Sequence, residues 1–350
     1  MSFFLFFYFK EKGAVKMKES LMLKTNIMLK NYLALAKAFP WEMNLSQHFV
    51  ALIYAQKEGK EVDVERIKEM SRFIKEETGG FSEYRGNNKF MLAALLVHQY
   101  MEPIEQFEQM QKNDEYLKLA GFKYSSYLPI ANYALLITSD EVILQEDVKE
   151  RAKKAYDIYL AMKKNHPWLT SGDDYPLAVL LSKFNNPIEK VEAYYMKLHE
   201  KGFYKGGSLQ LLSHILSFSD EPVEDVVNRC IRLQTTLKEN KLNVQASFYS
   251  AFGLISLIKD DTGEITNDVI KVSERLNHLK KFKWLGKGMN VLLAAALVSE
   301  EWIQNNKNEN NQNEIIQTAM GVSIETLIAA QIAATIAAIS ATTAAVTAAT

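Results

Sequence analysis

A short pattern recurs seven times along the chain at intervals of about forty residues. It consists of a small residue followed by two that are mostly apolar, and a bulky apolar residue precedes each copy by ten to thirteen positions. The seven copies begin at Ala51, Ala94, Ala134, Ala178, Ser213, Gly253 and Ala296. The bulky residues are Trp41, Phe81, Phe122, Trp168, Phe203, Leu242 and Trp284. Because both marks share one spacing, the sequence predicts a structural repeat.

Longer segments rich in Lys and Glu lie between these copies. They are amphipathic, and three of them have a proline where a helix start is expected, at Pro103, Pro187 and Pro222. The segments with the small residues are shorter and apolar nearly all round, for example 90–97 and 291–298. This contrast predicts half-exposed outer helices that alternate with buried inner helices. The expected fold class is therefore all-α, a helical repeat domain of about seven hairpins of about 40 residues across 22–304.

Packing explains both recurring marks. A small residue such as Ala94 permits close approach where neighbouring helices cross. The bulky residues are expected to act as wedges that fill the gaps between hairpins. The pattern fits two architectures, because the hairpins can form an open, curved solenoid or close into an α/α toroid with a central cavity.

Charge and cysteine content narrow the partners and the compartment. The 350 residues include 41 Lys and Arg against 42 Asp and Glu, a formal net charge of −1. Nucleic acid is therefore not expected as a partner, because phosphate binding needs an excess of Lys and Arg on one face. Cys230 is the only cysteine. A lone thiol excludes a disulfide scaffold and favours a cytoplasmic protein.

Motifs for metal, nucleotide or cofactor binding are absent from the sequence. The six histidines are scattered and lack the close spacing of a zinc site. Gly286-Lys287-Gly288 follows a predicted helix instead of a strand, so it does not match a phosphate-binding loop. The sequence therefore predicts neither a metal nor a cofactor.

The two ends of the chain differ from the middle. Residues 1–21 are predicted to be an extension, in which the apolar run at 3–9 is too short to span a membrane. An over-long start, with synthesis beginning at Met17 or Met22, explains this run, and a peripheral membrane anchor is the alternative. Residues 305–313 form an Asn- and Gln-rich linker. Residues 314–350 are Ala-rich and are predicted to form a helix that docks on the array or mediates self-association, with membrane insertion not expected.

Five stretches of sequence resemble a known bacterial family. They are FPWEMN at 39–44, GKEVDVERIKEM at 59–70, GGFSEYRGNNKFMLAALL at 79–96, HPWLTSGDDYPLAVLL at 166–181 and the Ala-rich tail. In combination they are similar to the family catalogued as domain of unknown function four thousand and three, over nearly the whole chain after Met22. The resemblance implies an all-helical bacterial protein without an assigned activity, and it supplies no catalytic residues.

The loops that precede the inner helices contain the candidate site residues. If every hairpin repeats the same direction, all these loops emerge on one face. Two of them carry more polar and aromatic groups than helix capping requires, and the candidate binding residues are Glu83, Tyr84, Arg85, Asp173, Asp174 and Tyr175. Capping of the next helix is the alternative role for Asp173. Arg supplies a planar fork for an anionic group and Tyr supplies rigid contact area, so the sequence predicts a recognition rim.

Two functions remain open from the sequence. The first is a non-enzymatic scaffold that binds a protein or peptide along the concave surface of the helical array. The second is an enzyme or a small-molecule-binding protein with a pocket inside an α/α toroid, in which Glu83 or Asp174 could serve as general base. Contact between the first and last hairpins favours the pocket, and an open groove favours the protein partner.

Overall fold

The structure is a computed structural model, and it describes five stretches of the chain. They are 17–56, 59–86, 88–139, 145–259 and 263–305. Within these stretches there are fifteen α-helices, three 3₁₀ turns and no β-strand. The predicted all-α class is therefore confirmed. Most of the N-terminal extension, nearly all of the linker and the whole Ala-rich tail lie outside the described residues.

Amphipathic helices alternate with apolar helices along the chain. The amphipathic helices are α1 (Glu19–Ala38), α3 (Val64–Glu77), α5 (Pro103–Ala120), α7 (Gln145–Asn165), α9 (Pro187–Glu200), α11 (Val223–Glu239) and α13 (Glu264–His278). The apolar helices, which we call the core helices, are α2 (Asn44–Ala55), α4 (Asn88–Gln99), α6 (Leu128–Ile137), α8 (Tyr175–Leu181), α10 (Gly207–Leu216), α12 (Ser250–Ser256) and α15 (Lys287–Asn305). A four-residue helix, α14 (Lys280–Lys283), precedes α15. The 3₁₀ turns span Glu83–Arg85, Gly172–Asp174 and Ala246–Phe248.

Each amphipathic helix packs on the core helix that follows it. The pairs are α1 with α2, α3 with α4, α5 with α6, α7 with α8, α9 with α10, α11 with α12 and α13 with α15. Each amphipathic helix also contacts the next amphipathic helix, and α13 contacts α1. The core helices of the pairs bury one continuous apolar core between them.

The recurring small residues lie where core helices approach closely. A Cβ atom at Gly253 would lie 2.8 Å from Cγ2 of Ile215 on the neighbouring core helix, which is closer than real contacts allow. Ala94 is buried, and its carbonyl oxygen accepts a hydrogen bond from the Tyr54 hydroxyl of α2 at 3.2 Å. These contacts agree with the packing explanation of the small residues.

The predicted role of the bulky residues as wedges is wrong for four of the seven. Phe122, Phe203 and Leu242 are buried as expected, whereas Trp41, Phe81, Trp168 and Trp284 are exposed. In two of these loops an aromatic residue two positions earlier turns inward instead. Phe39 packs 4.8 Å from Phe90, and Phe282 is fully buried 4.7 Å from the His48 ring. Trp41 then lies in solvent, whereas Trp284 keeps an edge contact with the His48 ring at 5.8 Å and is otherwise exposed.

Polar side chains join the first helices to the last. The ammonium group of Lys24 in α1 lies 2.9 Å from Glu300 Oε2 and 2.5 Å from Glu301 Oε2 in α15. All three side chains are largely buried. Gln56, at the end of α2, donates to the carbonyl oxygen of Ala296 at 3.0 Å. The start and the end of the described chain are therefore in direct contact.

Candidate binding surface

Glu83 and Tyr84 lie in the 3₁₀ turn before α4, and both are buried. The Tyr84 hydroxyl accepts from Asn132 Nδ2 at 2.7 Å and donates to Asp114 Oδ1 at 3.4 Å. Burial is the main cause that raises the pKa of Tyr84 well above its ordinary value. Glu83 Oε1 lies 3.3 Å from Lys118 Nζ. Both side chains thus contact residues of their own chain.

Arg85 ends the same turn and is half-buried. Its guanidinium donates to the carbonyl oxygen of Lys75 and, at 3.4 Å, to Oγ1 of Thr78. Lys75 lies in the last turn of α3, where free carbonyl groups need donors. The planar fork of Arg85 is therefore used at least partly to cap α3.

Asp173 and Asp174 lie in the 3₁₀ turn before α8. Asp174 is buried, and its Oδ2 accepts from the Ser171 backbone N–H at 3.0 Å, while Asp173 accepts from the Ser171 hydroxyl. Burial, followed by repulsion from Asp173, raises the pKa of Asp174 to about 8. The carboxylate that accepts a backbone N–H in this turn is therefore that of Asp174, whereas Asp173, for which capping was the alternative role, accepts from a hydroxyl group.

Tyr175 begins α8 and is buried among aromatic rings. Its ring centroid lies 4.8 Å from that of Phe122 and 4.9 Å from that of Tyr159, both edge-on. Its hydroxyl accepts from the Lys123 backbone N–H at 3.4 Å. Burial raises the pKa of Tyr175, and this burial leaves the ring little surface for a partner.

The six predicted residues fall into two separate sets. Among the described residues, no hydrogen bond, ion pair or ring contact joins the set at 83–85 to the set at 173–175. Each set instead contacts α6 or the loop before it, Tyr84 through Asn132 and Tyr175 through Lys123. A shared recognition rim made of these residues stays a prediction.

The loops before the core helices also form a surface that was not predicted from the sequence. Seven loops lead from an amphipathic helix to its core helix, and six of them carry an exposed aromatic side chain. The exposed fractions are 96% for Trp41, 97% for Phe81, 70% for Tyr124, 96% for Trp168, 77% for Tyr204 and 57% for Trp284. We call these six residues the aromatic collar. In the described part of the chain, every aromatic residue classed as exposed belongs to it.

Contacts between successive loops place the collar at one end of the helix assembly. Most loops contact the next loop along the chain or the core helix that follows that next loop. Each of these contacts is a ring contact or a hydrogen bond. These contacts are Phe39 with Phe90, Asn88 with Ser126, Lys123 with Tyr175, Thr170 with Gln210, Tyr204 with Tyr249, Lys241 with Lys287 and Lys281 with His48. The last of these contacts joins the loop before α15 to the first core helix.

The collar end is also the basic end of the protein. The last turn of each amphipathic helix carries at least one of Lys37, Lys75, Lys118, Lys163, Lys197, Lys238 and Arg275. The seven loops at 39–43, 78–86, 121–127, 166–174, 201–206, 240–249 and 279–286 contain eight Lys or Arg and four Asp or Glu. Two of those four acids, Glu83 and Asp174, are buried. The exposed charge of these loops is therefore mainly positive.

Acidic side chains recur at the starts of the amphipathic helices. Glu occupies the first turn of six amphipathic helices, as Glu19, Glu65, Glu105, Glu189, Glu224 and Glu264. Acidic side chains at helix starts and basic side chains at helix ends both stabilise the helix dipole. The two sets of charges are not fully separated, because Lys197 in the last turn of α9 lies 3.3 Å from Glu224 in the first turn of α11.

The described residues contain neither a metal-binding group nor a membrane-spanning helix. Among the described residues, no three His, Cys, Asp or Glu side chains are grouped so that they could hold a metal ion. No helix in the described ranges combines the length and the apolar character needed to cross a bilayer.

Comparison with known proteins gives a family but no activity. Residues 31–333 match the family described as protein of unknown function, DUF4003. A relative from Bacillus subtilis (strain 168), the uncharacterized protein YeaA, is 30% identical over 315 residues, which cover 88% of this chain and 91% of the relative. No solved structure matches the chain. The resemblance noted in the sequence is thus confirmed, and the chain belongs to the DUF4003 family.

Proposed function

We propose that the seven helix pairs form a closed ring, which is the α/α toroid of the two architectures that the sequence pattern fits. The contact of α13 with α1 supports closure, because it continues the series of contacts between neighbouring amphipathic helices. The burial of Lys24 between Glu300 and Glu301 supports it as well, since these charges are paired across the junction. An open solenoid would leave the outer faces of its end repeats in water.

The function that this ring supports best is that of a non-enzymatic scaffold that binds a macromolecular partner through the aromatic collar. The observation that carries the proposal is the exposure of six aromatic side chains at one end of the ring. Burial of a large aromatic side chain is favourable, so six exposed ones at the same end of the protein indicate that a partner covers them. Trp and Tyr are also the residues that most often dominate the binding energy of an interface.

The alternative of an enzyme or small-molecule pocket inside the toroid has less support. Residues 45–55 of α2 and 90–97 of α4 are all buried, so these core helices line no open cavity. The two carboxyl groups considered as general bases, Glu83 and Asp174, contact Lys118 and the Ser171 backbone. A general base has to face its substrate.

We retain a protein- or peptide-binding scaffold as the class of function, and we assign binding to a different surface. A concave surface lined by core helices would expose their side chains, whereas these helices are largely buried. The collar consists of side chains that lie in solvent before any partner binds. We therefore assign recognition to the end of the ring instead of to a groove.

Oxidative footprinting in living cells tests this function. Hydroxyl radicals should oxidise Trp41 and Trp168 strongly in the purified protein, because both side chains are almost fully exposed. In intact bacteria a bound partner should protect them several-fold. Met101, which is 83% exposed at the opposite end, is the internal control and should react equally in both samples. Equal oxidation of the tryptophans in cells and in buffer would contradict the proposal.

A further inference from the structure

We propose that the aromatic collar docks on the surface of an anionic lipid bilayer. This inference rests on the proposed function, because it names the partner that the collar binds. It is drawn from three properties of the collar: the separation of its aromatic side chains, the lysines beside them, and the mainly positive charge of its loops.

The aromatic side chains are spread around the ring instead of forming one patch. They lie on six different loops, and among the described residues no ring contact joins any two of them. A peptide or a folded partner is typically held by neighbouring side chains that enclose a pocket. A ring of separate, protruding side chains at one end instead suits a partner that is flat and wide, such as a bilayer.

The chemistry of the collar matches the lipid headgroup region. Trp and Tyr prefer this region, where the ring meets the acyl boundary and the polar group stays in contact with water. Lysines stand next to three of the collar residues in the sequence, as Lys123 beside Tyr124, Lys205 beside Tyr204 and Lys283 beside Trp284. These lysines are exposed, and a further pair, Lys280 and Lys281, precedes Trp284. Clustered lysines of this kind attract anionic lipids.

The formal net charge of −1 does not oppose this attraction, because the exposed charge of the collar loops is mainly positive. The Debye length at physiological ionic strength is about 8 Å. A bilayer in contact with the collar therefore interacts mainly with the charges of these loops.

Vesicle co-sedimentation of the full-length protein tests the inference. Vesicles of phosphatidylcholine with about 30% phosphatidylglycerol should bind the protein at least tenfold more tightly than vesicles of phosphatidylcholine alone. The affinity should fall steeply when the salt concentration is raised to about 0.5 M. Because three of the four tryptophans belong to the collar, the emission maximum should also shift to shorter wavelength on binding.

Matched variants separate the collar from other parts of the chain. The collar variant Trp41→Ser, Phe81→Ser and Trp168→Ser should bind phosphatidylglycerol vesicles at least tenfold more weakly. The control variant Leu23→Ser, Met101→Ser and Ile104→Ser changes three exposed apolar residues outside the collar and should bind like the wild type. Substituting Lys280, Lys281 and Lys283 with Gln should weaken binding and reduce its dependence on salt.

Three results would overturn the inference. The first is the absence of binding to anionic vesicles. The second is unchanged binding by the collar variant, which would assign the membrane contact to a segment outside the described residues. The third is protection of Trp41 and Trp168 in cells without any lipid binding. In that case the scaffold function stands, and the partner is an acidic protein surface instead of a membrane.

Discussion

Replacing Asp174 with Asn should change how the stability of the protein depends on pH. The Asp174 carboxyl group is buried, and one of its oxygens accepts a backbone hydrogen bond from Ser171 at 3.0 Å. Burial and the nearby Asp173 raise its pKa from 3.8 to about 8. Asn keeps the shape and an acceptor oxygen but cannot ionise. The variant therefore removes one titration and leaves the contact in place.

The sign and size of the effect follow from the difference between the folded and unfolded pKa values. Above pH 3.8 the unfolded chain releases the proton of Asp174, whereas the folded protein retains it up to about pH 8. In this pH range folding requires the uptake of one proton by Asp174. The contribution of this group to the free energy of unfolding therefore falls as the pH rises. Each pH unit in this window costs about 1.4 kcal/mol. From pH 5 to pH 8, the variant should gain about 3.5 kcal/mol relative to the wild type, slightly less than three full pH units because the folded carboxyl group is half ionised at pH 8.

Urea denaturation followed by circular dichroism at 222 nm measures this difference. The free energy of unfolding of the wild type and of Asp174→Asn would be determined at pH 5, 6.5 and 8. Groups other than Asp174 titrate in both proteins, so the difference between the two isolates Asp174. A difference that stays constant from pH 5 to pH 8 would refute the reasoning, because it would mean that Asp174 is ionised in the folded protein throughout this range.

Three further predictions concern the core and the contact between α1 and α15. Burial lowers the pKa of His214 to about 3, so between pH 6.5 and pH 5 the wild type should lose about 2 kcal/mol relative to His214→Gln in the same urea assay. Lys24→Met leaves Glu300 and Glu301 buried without their cation and should cost about 3 kcal/mol or more at pH 7, with partial recovery when Glu301 is also changed to Gln. Ala94→Leu should overpack the crossing of α2 and α4 and cost about 1 to 3 kcal/mol, and an unchanged urea midpoint would show that the crossing has spare room.

The helices and their burial could be predicted from the sequence because they depend on local periodicity. The small residues at 94 and 253 mark close helix approaches, and the amphipathic segments with Pro103 and Pro187 near their starts are helices. Periodicity of hydrophobic residues reports which face of a helix is buried, and that information is contained within one helix.

The candidate site could not be predicted to the same extent, because it depends on how each loop turns. Phe39 and Trp41 are both apolar and lie two positions apart, yet Phe39 is partly buried against the core and Trp41 is in solvent. Nothing in the local sequence distinguishes them, since the choice depends on the space beside Phe90 on the next hairpin. Likewise, the grouping of the basic loops becomes visible only when all amphipathic helices are known to end on the same side.

The contact between α1 and α15 has a consequence for the chain ends. Open helical arrays need specialised end repeats with a polar outer face. Here α2 and α15 are as apolar and as buried as the helices between them, so the first and last pairs cover each other. The order of the pairs along the chain then has no structural beginning. A circular permutant that joins the ends of the described region and opens at 182–186, between α8 and α9, should fold to the same structure.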